Sequence, residues 1–158
     1  MARILDGGEL PDWPDSPGVY VFSCAFPGES AHRLGDILYV GVGGLLRRRI
    51  SYALGVEGKG APHGAQRPLL ELQKKGGVAR VFICPIRDAV GEDDLERALL
   101  VEYESRVGRL PPWNRAGPRR TAVSDQARAL ASSILDTLNV RALSGQTRKR
   151  ISSPLSGS

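Results

Sequence analysis

The chain has 158 residues and a formal net charge of +5, which is enough for one domain with an appendage and too little for two ordinary domains. With 41% hydrophobic and 25% charged residues, and no apolar run near the roughly 20 residues of a membrane helix, it is predicted to be soluble and globular, and a membrane protein is excluded. The N-terminus lacks the apolar core of a signal peptide, and the isolated Cys24 and Cys84 are typical of reduced thiols, so a cytoplasmic location is predicted.

The first predicted elements are two strands. Gly18–Cys24 and Ile37–Val42 are β-branched and aromatic runs of strand length joined by a polar connection, which favours antiparallel pairing. Such pairing places Tyr20 and Tyr39 on adjacent strands, where their rings share one face if the register is right. Residues 1–16 hold several glycines and prolines and are interpreted as a loop-like lead-in.

A basic helix is predicted directly after the second strand. Gly41, Gly43 and Gly44 break the strand where the chain must turn tightly. The apolar side chains of the helix then fall on one stripe, formed by Leu46, Ile50, Ala53 and Leu54. Arg49 flanks this stripe, so its side chain can reach back across the end of the strand.

A short helix, a third strand and a longer helix are predicted next. Pro68 opens the helix Leu69–Lys75, and Val78–Ile86 is the strand. The longer helix, Asp93–Val107, has an apolar arc formed by Leu95, Leu99, Leu100, Tyr103 and Val107. Glu96 falls inside this arc. A buried carboxylate needs a partner, so the pattern predicts either an arginine or a metal ion beside Glu96.

Five motifs in these elements resemble, in order and in spacing, those of the GIY-YIG nuclease family. They span residues 16–115 and are Gly18-Val19-Tyr20, Tyr39-Val40-Gly41, Leu46–Ile50, Leu95–Leu100 and Pro112-Trp113-Asn114. The resemblance implies an α/β (α+β) fold at residues 17–116, in which a small central antiparallel sheet of about three strands is flanked by helices. It also implies a metal-dependent endonuclease that hydrolyses DNA phosphodiester bonds with Mg²⁺, or alternatively Mn²⁺.

The resemblance implies a role for each of four side chains. Tyr20 binds and deprotonates the attacking water, Tyr39 orients the phosphate or assists the water, and Arg49 holds the non-bridging oxygens of the phosphate through a fixed fork of donors. Glu96 binds a single divalent metal ion, which polarises the phosphate and stabilises the leaving oxygen. Because a free phenol has a pKa of about 10, a nearby cation has to lower the pKa of Tyr20 for this chemistry.

A second carboxylate competes with Glu96 for the metal ion. Glu102 borders the same apolar arc, and its spacing of 12 residues to Asn114 is similar to that in excision-repair members of the family. Glu96 instead keeps the family's local pattern, Leu-Glu-x-x-Leu-Leu. We choose Glu96 because insertions at helix ends, which change the longer spacing, are easily tolerated.

Four further residues are predicted to support the site. The resemblance gives Gly41 and Asn114 supporting roles, with Asn114 hydrogen-bonding near the catalytic tyrosine. Tyr52 lies on the same helix flank as Arg49, and it either substitutes for a tyrosine or histidine that relatives carry one residue later or is only a surface aromatic. His63, in a glycine-rich loop, is either an auxiliary proton carrier or a bystander.

The C-terminal part is predicted to contain one more helix and a basic tail, at residues 117–140 and 141–158. Ser124 caps the helix 124–138, whose apolar stripe packs on the domain or, alternatively, on a homodimer or specificity partner. The seven Lys+Arg of residues 117–158 face only two Asp+Glu, whereas the rest of the chain is neutral. This asymmetry favours DNA as a partner, and a solvated, disordered tail is the alternative.

Alternative functions also fit the sequence. Val42 stands where some relatives have a lysine that helps to lower the tyrosine pKa, so a non-catalytic nucleic-acid-binding module of the same fold is one alternative. A cradle for a nucleotide phosphate at Gly41–Gly44 is a weaker one, because the spacing of a dinucleotide-binding motif is absent. For the nuclease and for the nucleic-acid-binding module alike, the side chains that bind nucleic acid are predicted to be Arg47, Arg48, Arg119, Arg120, Arg148, Lys149 and Arg150.

Overall fold

The structure, a computed structural model, describes residues 2–4, 15–25, 37–54, 64–86, 90–115 and 122–138. Within this part of the chain, no helix is long and apolar enough to cross a membrane. The strands and helices are β1 (Ala2–Ile4), β2 (Gly18–Ala25), β3 (Ile37–Gly43), α1 (Leu46–Leu54), α2 (Gln66–Lys74), β4 (Val78–Pro85), α3 (Glu92–Val107) and α4 (Asp125–Thr137). The predicted α+β class is confirmed, and every predicted strand and helix is present.

The strands form one antiparallel sheet in the order β1-β4-β2-β3. The central strand β2 pairs with β3 on one side and with β4 on the other, and these three are the predicted strands. The short β1 lies in the predicted loop-like lead-in and pairs with β4 through Ala2↔Phe82 and Ile4↔Arg80. A three-residue edge strand is held mainly by backbone hydrogen bonds. Three residues are too few to show the alternation of side chains by which a strand is recognised in a sequence.

Side-chain alternation along the strands gives the sheet two buried faces. One face carries Tyr20 and packs against α1 and α2, which bury Leu46 and Leu69 there. The opposite face carries Val21 and packs against α3 and α4, which bury Leu99. Each fully buried side chain of this size contributes about 2 kcal/mol of hydrophobic stabilisation. The helices therefore form two layers, one on each side of the sheet.

The start of α1 is held against the beginning of β2. The Leu46 N–H donates to the Ser16 carbonyl at 3.1 Å, so the glycine turn after β3 brings the arginine helix back over the sheet. Most of the predicted stripe is buried, namely Leu46, Ile50 and Ala53. Leu54 is only partly buried at the end of the helix.

The helix α2 begins at Gln66, earlier than predicted. The Leu69 N–H donates to the Ala65 carbonyl at 2.9 Å, so the first helical turn includes Pro68. Proline is accepted at this position because the N–H groups of a first turn have no acceptor within the helix. The proline therefore lies inside the start of the helix instead of preceding it.

The helix α4 packs on α3 and buries its apolar stripe inside the chain. The predicted cap is confirmed, because Ser124 Oγ accepts from the Ala127 N–H at 3.2 Å. Near the other end, the Arg106 guanidinium of α3 donates to Asp136 at 2.6 Å and to Ser132 Oγ at 2.7 Å. The buried stripe consists of Ala127, Ala131, Ile134 and Leu135. It packs on the domain, as predicted, and is therefore not exposed to a homodimer or specificity partner.

Candidate active site

The sheet register brings the two predicted catalytic tyrosines together. Tyr20 lies opposite Gly41, and Phe22 lies opposite Tyr39, so Tyr20 and Tyr39 are diagonal neighbours on one face of the sheet. Their ring centroids are 5.9 Å apart, and a hydrogen bond between the two hydroxyl groups raises the pKa of Tyr20 and lowers that of Tyr39. The register therefore puts the rings of Tyr20 and Tyr39 on one face of the sheet.

The tyrosine pair requires glycine at position 41. A Cβ added to Gly41 would stand 2.5 Å from the Tyr20 hydroxyl oxygen and 2.8 Å from Tyr20 Cε1. Non-bonded carbon atoms keep about 3.5 Å apart, so any side chain at this position displaces the ring. The glycine of the second motif thus makes room for the tyrosine of the first.

Arg49 reaches the site from the first turns of α1. A Cβ added to Gly43 would lie 2.7 Å from Arg49 Cγ, so the arginine stem runs across the glycine that ends β3. Burial raises the pKa of Tyr20, Tyr39 and Glu96, and the charge of Arg49 opposes that rise at all three groups. The charge of Arg49 therefore acts on all three groups, and its side chain is exposed.

Glu96, and not Glu102, lies beside the tyrosine pair. Glu96 is half-buried on α3, and its charge adds to the effect of burial in raising the pKa of Tyr20 and Tyr39. Glu102 instead pairs with Arg106 at 2.9 Å where α3 meets α4. Glu102 is therefore engaged where two helices meet, and Glu96 is the carboxylate whose charge acts on the tyrosine pair.

Two acidic residues at the start of α3, which the sequence analysis did not single out, also act on Glu96. Burial raises the pKa of the Glu96 carboxyl, Arg49 opposes this rise, and the charges of Asp93 and Glu92 add to it. The Glu92 side chain also lies against Gly44 in the turn before α1. Their spacing from Glu96, three and four residues along a helix, is the sequence signal that points to them. Their charges make the surroundings of Glu96 favourable for a cation.

Asn114 holds the strand that carries Tyr39. Its Oδ1 accepts from the Val40 N–H at 2.9 Å, and its Nδ2 donates to the Val40 carbonyl at 2.8 Å. The Trp113 N–H donates to the Leu38 carbonyl at 2.9 Å. Because β3 is an edge strand, these bonds satisfy its outer backbone groups on both sides of Tyr39. The predicted hydrogen bonding of Asn114 near a catalytic tyrosine is present.

Asn114→Ala is expected to lower the free energy of unfolding by about 2 kcal/mol, because both backbone groups of Val40 lose their partners. Urea denaturation of the purified variant measures the change. Gln126→Ala is the control, since Gln126 is an exposed polar residue on α4, and it is expected to change stability by less than about 0.5 kcal/mol. Equal stabilities for Asn114→Ala and the control would contradict the role of the amide.

In the protein without metal ion or substrate, burial keeps the hydroxyl groups of both Tyr20 and Tyr39 protonated. Tyr20 is 1% exposed, and burial, together with the neighbouring Tyr39, raises its pKa well above the ordinary 10.0. Tyr39 is only half-buried; burial raises its pKa too, but the hydrogen bond with Tyr20 lowers it. Tyr39 is therefore the phenol more open to solvent, and its ionised form is the better stabilised.

The other predicted site residues are not part of this cluster in the described structure. The Tyr52 hydroxyl accepts from Arg48 Nε at 2.8 Å, so the partner of Tyr52 is Arg48 and not Arg49. Arg47 and Arg48 are exposed on α1. Outside the described residues lie His63, Arg119, Arg120, Arg148, Lys149 and Arg150.

A divalent metal ion at this site would be held by one carboxylate. Among the described residues, no three His, Cys, Asp or Glu side chains are grouped so as to hold a metal ion. Mg²⁺ is nevertheless bound in many phosphate-processing sites by one or two carboxylates, with phosphate and water oxygens completing the shell. Glu96, half-buried and flanked by negative charge, suits this arrangement. The residues present therefore fit a single Mg²⁺ or Mn²⁺ ion.

Comparison with known proteins gives no match. No protein-family model matches the sequence, no curated protein matches it, and no solved structure matches the fold. The resemblance to GIY-YIG nucleases therefore rests on the sequence motifs alone. Function has to be inferred from the chemistry that these side chains can perform.

Proposed function

We propose that this protein is a metal-dependent endonuclease that hydrolyses DNA phosphodiester bonds with the chemistry of GIY-YIG nucleases. One observation carries the proposal: the rings of Tyr20 and Tyr39 lie 5.9 Å apart on one face of the sheet, with the Arg49 stem crossing the end of β3 at Gly43. The charges of Arg49 and Glu96 both act on this pair of phenols. Groups whose pKa values are shifted by burial and by specific charges are concentrated at functional sites. A phosphodiester hydrolase has a use for each of these four groups.

Arg49 and Glu96 supply the recognition of the phosphate. The planar guanidinium of Arg49 matches two non-bridging oxygens, and it stabilises the negative charge that grows on them in the transition state. Glu96 would hold a divalent ion, which would supply further positive charge at the phosphate. Arg49 is exposed and Glu96 half-buried, so both are accessible from the surface.

We assign the general base to Tyr39, in place of the sequence-based assignment to Tyr20. A base must contact the water whose proton it takes, and Tyr20 is 1% exposed whereas Tyr39 is half-buried. Burial raises the pKa of Tyr39, but the hydrogen bond with Tyr20 and the charge of Arg49 oppose that rise, so Tyr39 loses its own proton to solvent more readily than the fully buried Tyr20 does. The Tyr39 oxygen then accepts the proton of the attacking water, and Tyr20 acts as a positioning residue.

Nicking of supercoiled plasmid tests the proposal. We expect nicking with Mg²⁺ and none with EDTA. Tyr39→Phe is expected to slow nicking by about 10²-fold, whereas Tyr20→Phe loses only the hydrogen bond with Tyr39 and is expected to slow it by about tenfold. In Tyr20→Phe, the increase of the nicking rate with pH should also occur at a more alkaline pH than in the wild type, because the pKa of Tyr39 increases without that bond. Tyr52→Phe is the matched control and should nick at the wild-type rate.

Other results would change the conclusion. A wild-type protein that binds plasmid, single-stranded and branched DNA but cleaves none of them with Mg²⁺ or Mn²⁺ would support the non-catalytic binding module. A greater loss of activity in Tyr20→Phe than in Tyr39→Phe would return the role of base to Tyr20. Cleavage that persists in EDTA would exclude the metal-dependent chemistry.

A further inference from the structure

The two helical layers carry opposite charges. The layer of α1 and α2, together with Lys75 at the end of α2, holds six Lys+Arg and one Glu, a net charge of +5. The layer of α3 and α4 holds three Arg and eight Asp+Glu, a net charge of −5. Because these layers cover opposite faces of the sheet, the described helices form a basic side and an acidic side.

The proposed active site lies on the boundary between the two sides. Arg49 belongs to α1 on the basic side, and Glu96 belongs to α3 on the acidic side. A long polyanion that places one phosphate at this boundary has to extend over one of the two layers. Repulsion from Glu92, Asp93 and the rest of the acidic side disfavours that layer, so the polyanion extends over α1 and α2.

Six exposed cations stand on the basic side: Arg49 of the proposed active site, Arg67, which pairs with Glu71 at 3.2 Å, and four others. Arg47 and Arg48 are exposed on α1, and Lys74 and Lys75 are exposed at the C-terminal end of α2. The sequence analysis gave the two lysines no role. A helix C-terminus attracts cations by itself, so stabilisation of α2 is the competing explanation for the pair, and a test has to separate it from ligand binding.

We propose that the basic side, formed by the outer faces of α1 and α2, docks the backbone of duplex DNA, and that Lys74 and Lys75 bind its phosphates. The proposal rests on the proposed function, which supplies DNA as the partner. Lysine ammonium groups act as point charges and read no bases. The lysines therefore set the position and direction of the duplex, and they leave the choice of sequence to other groups.

The surface suits a duplex better than a single strand. Proteins that bind single strands stack bases on exposed aromatic rings. The only aromatic residue in α1 and α2 is Tyr52, and the guanidinium of Arg48 lies over its ring, 5.6 Å from the centroid. The basic side therefore offers charges to a backbone and no open ring to a base.

Binding to a fluorescein-labelled duplex of about 30 base pairs tests this surface. The full-length protein is used in EDTA, so that binding is measured without cleavage. Lys74→Gln/Lys75→Gln is expected to bind about tenfold more weakly at about 0.1 M salt, and the slope of log K against log salt should become shallower by about 1.8. Thermal unfolding of the same variant reports any loss of helix stability, which by itself would leave the salt slope unchanged.

The matched control removes the same two charges from another place. Arg109→Gln/Arg128→Gln changes two exposed arginines, in the turn after α3 and on α4, and is expected to bind within about twofold of wild type. Equal weakening in the two double variants would mean that only net charge matters and would overturn the docking surface. Tighter binding of a single strand than of the duplex, or no binding of the duplex by wild type, would also overturn it.

This result can be distinguished from that of the nuclease test. If the wild type nicks plasmid with Mg²⁺ while the lysine variant binds DNA as well as wild type does, the nuclease proposal stands and the docking surface is wrong. If the wild type is inert but the lysine variant shows the expected loss of affinity and of slope, the docking surface stands and the nuclease proposal is wrong.

Discussion

Glu96→Gln is expected to reduce Mg²⁺-dependent cleavage by on the order of 10³-fold. Glutamine has nearly the size and polarity of glutamate, but its amide carries no negative charge for a hard divalent cation. Binding of duplex DNA in EDTA should be retained, because the basic side is unchanged. Initial rates of plasmid nicking over a range of Mg²⁺ concentrations measure the effect.

The same substitution is expected to stabilise the metal-free protein by about 1 kcal/mol near neutral pH. Burial raises the pKa of Glu96 above the ordinary 4.5, Arg49 opposes this rise, and Asp93 and Glu92 add to it. The folded chain therefore binds this proton more tightly than the unfolded chain. The contribution of Glu96 to the free energy of unfolding is fully present below its ordinary pKa. It is lost as the pH rises through the raised pKa that Glu96 has in the folded chain. The advantage of Glu96→Gln should accordingly grow from acid to neutral pH.

Loss of cleavage combined with a gain in stability distinguishes a metal-binding carboxylate from a structural one, whose removal lowers both quantities. Glu104→Gln is the control, because Glu104 is an exposed carboxylate on the same helix, and neither its cleavage rate nor its stability should change. A Glu96→Gln protein that cleaves at the wild-type rate would exclude the metal-binding role. A destabilised one would contradict the electrostatic account of the site.

Gly41→Ala is expected to lower the free energy of unfolding by about 3 kcal/mol and to abolish cleavage. The added Cβ would stand 2.5 Å from the Tyr20 hydroxyl oxygen, so the Tyr20 ring has to move out of a fully packed position. Moving it also breaks the hydrogen bond to Tyr39. Urea denaturation measures the loss of stability, and plasmid nicking measures the loss of activity.

A second substitution tests whether the ring is the cause. Tyr20→Leu removes the ring atoms that the new Cβ meets, so Gly41→Ala/Tyr20→Leu should be more stable than the sum of the single changes predicts, by at least about 1 kcal/mol. Gly64→Ala is the control, because a Cβ on Gly64 has no neighbouring atom within 4 Å. Additive effects of the two substitutions would show that Gly41 and Tyr20 are not in contact.

Local patterns in the sequence were sufficient to predict the long strands and the helices. β-branched runs predicted β2, β3 and β4, and apolar stripes predicted the buried faces of α1, α3 and α4, because these signals come from residues close together in the chain. The cap at Ser124 was predicted for the same reason. The strand β1 was missed, since three residues at a sheet edge show no such pattern.

The charge separation between the two sides could not be predicted from composition. Residues 1–116 carry 15 Lys+Arg and 15 Asp+Glu, so the domain looks neutral in the sequence. Its charges separate only because α1 and α2 cover one face of the sheet and α3 and α4 cover the other. Which helix covers which face depends on how the chain crosses the sheet.

By itself, the sequence determined the hydrophobic period of each strand and helix and the residue types on each of its faces. These residues include two tyrosines, an arginine and a carboxylate with a use in phosphate chemistry. Only the tertiary structure decided the register that puts Tyr20 opposite Gly41, and the position that puts Glu96, and not Glu102, beside the tyrosines. The physical reason is that periodicity arises from neighbours in the chain, whereas register and pairing depend on contacts between residues far apart in it.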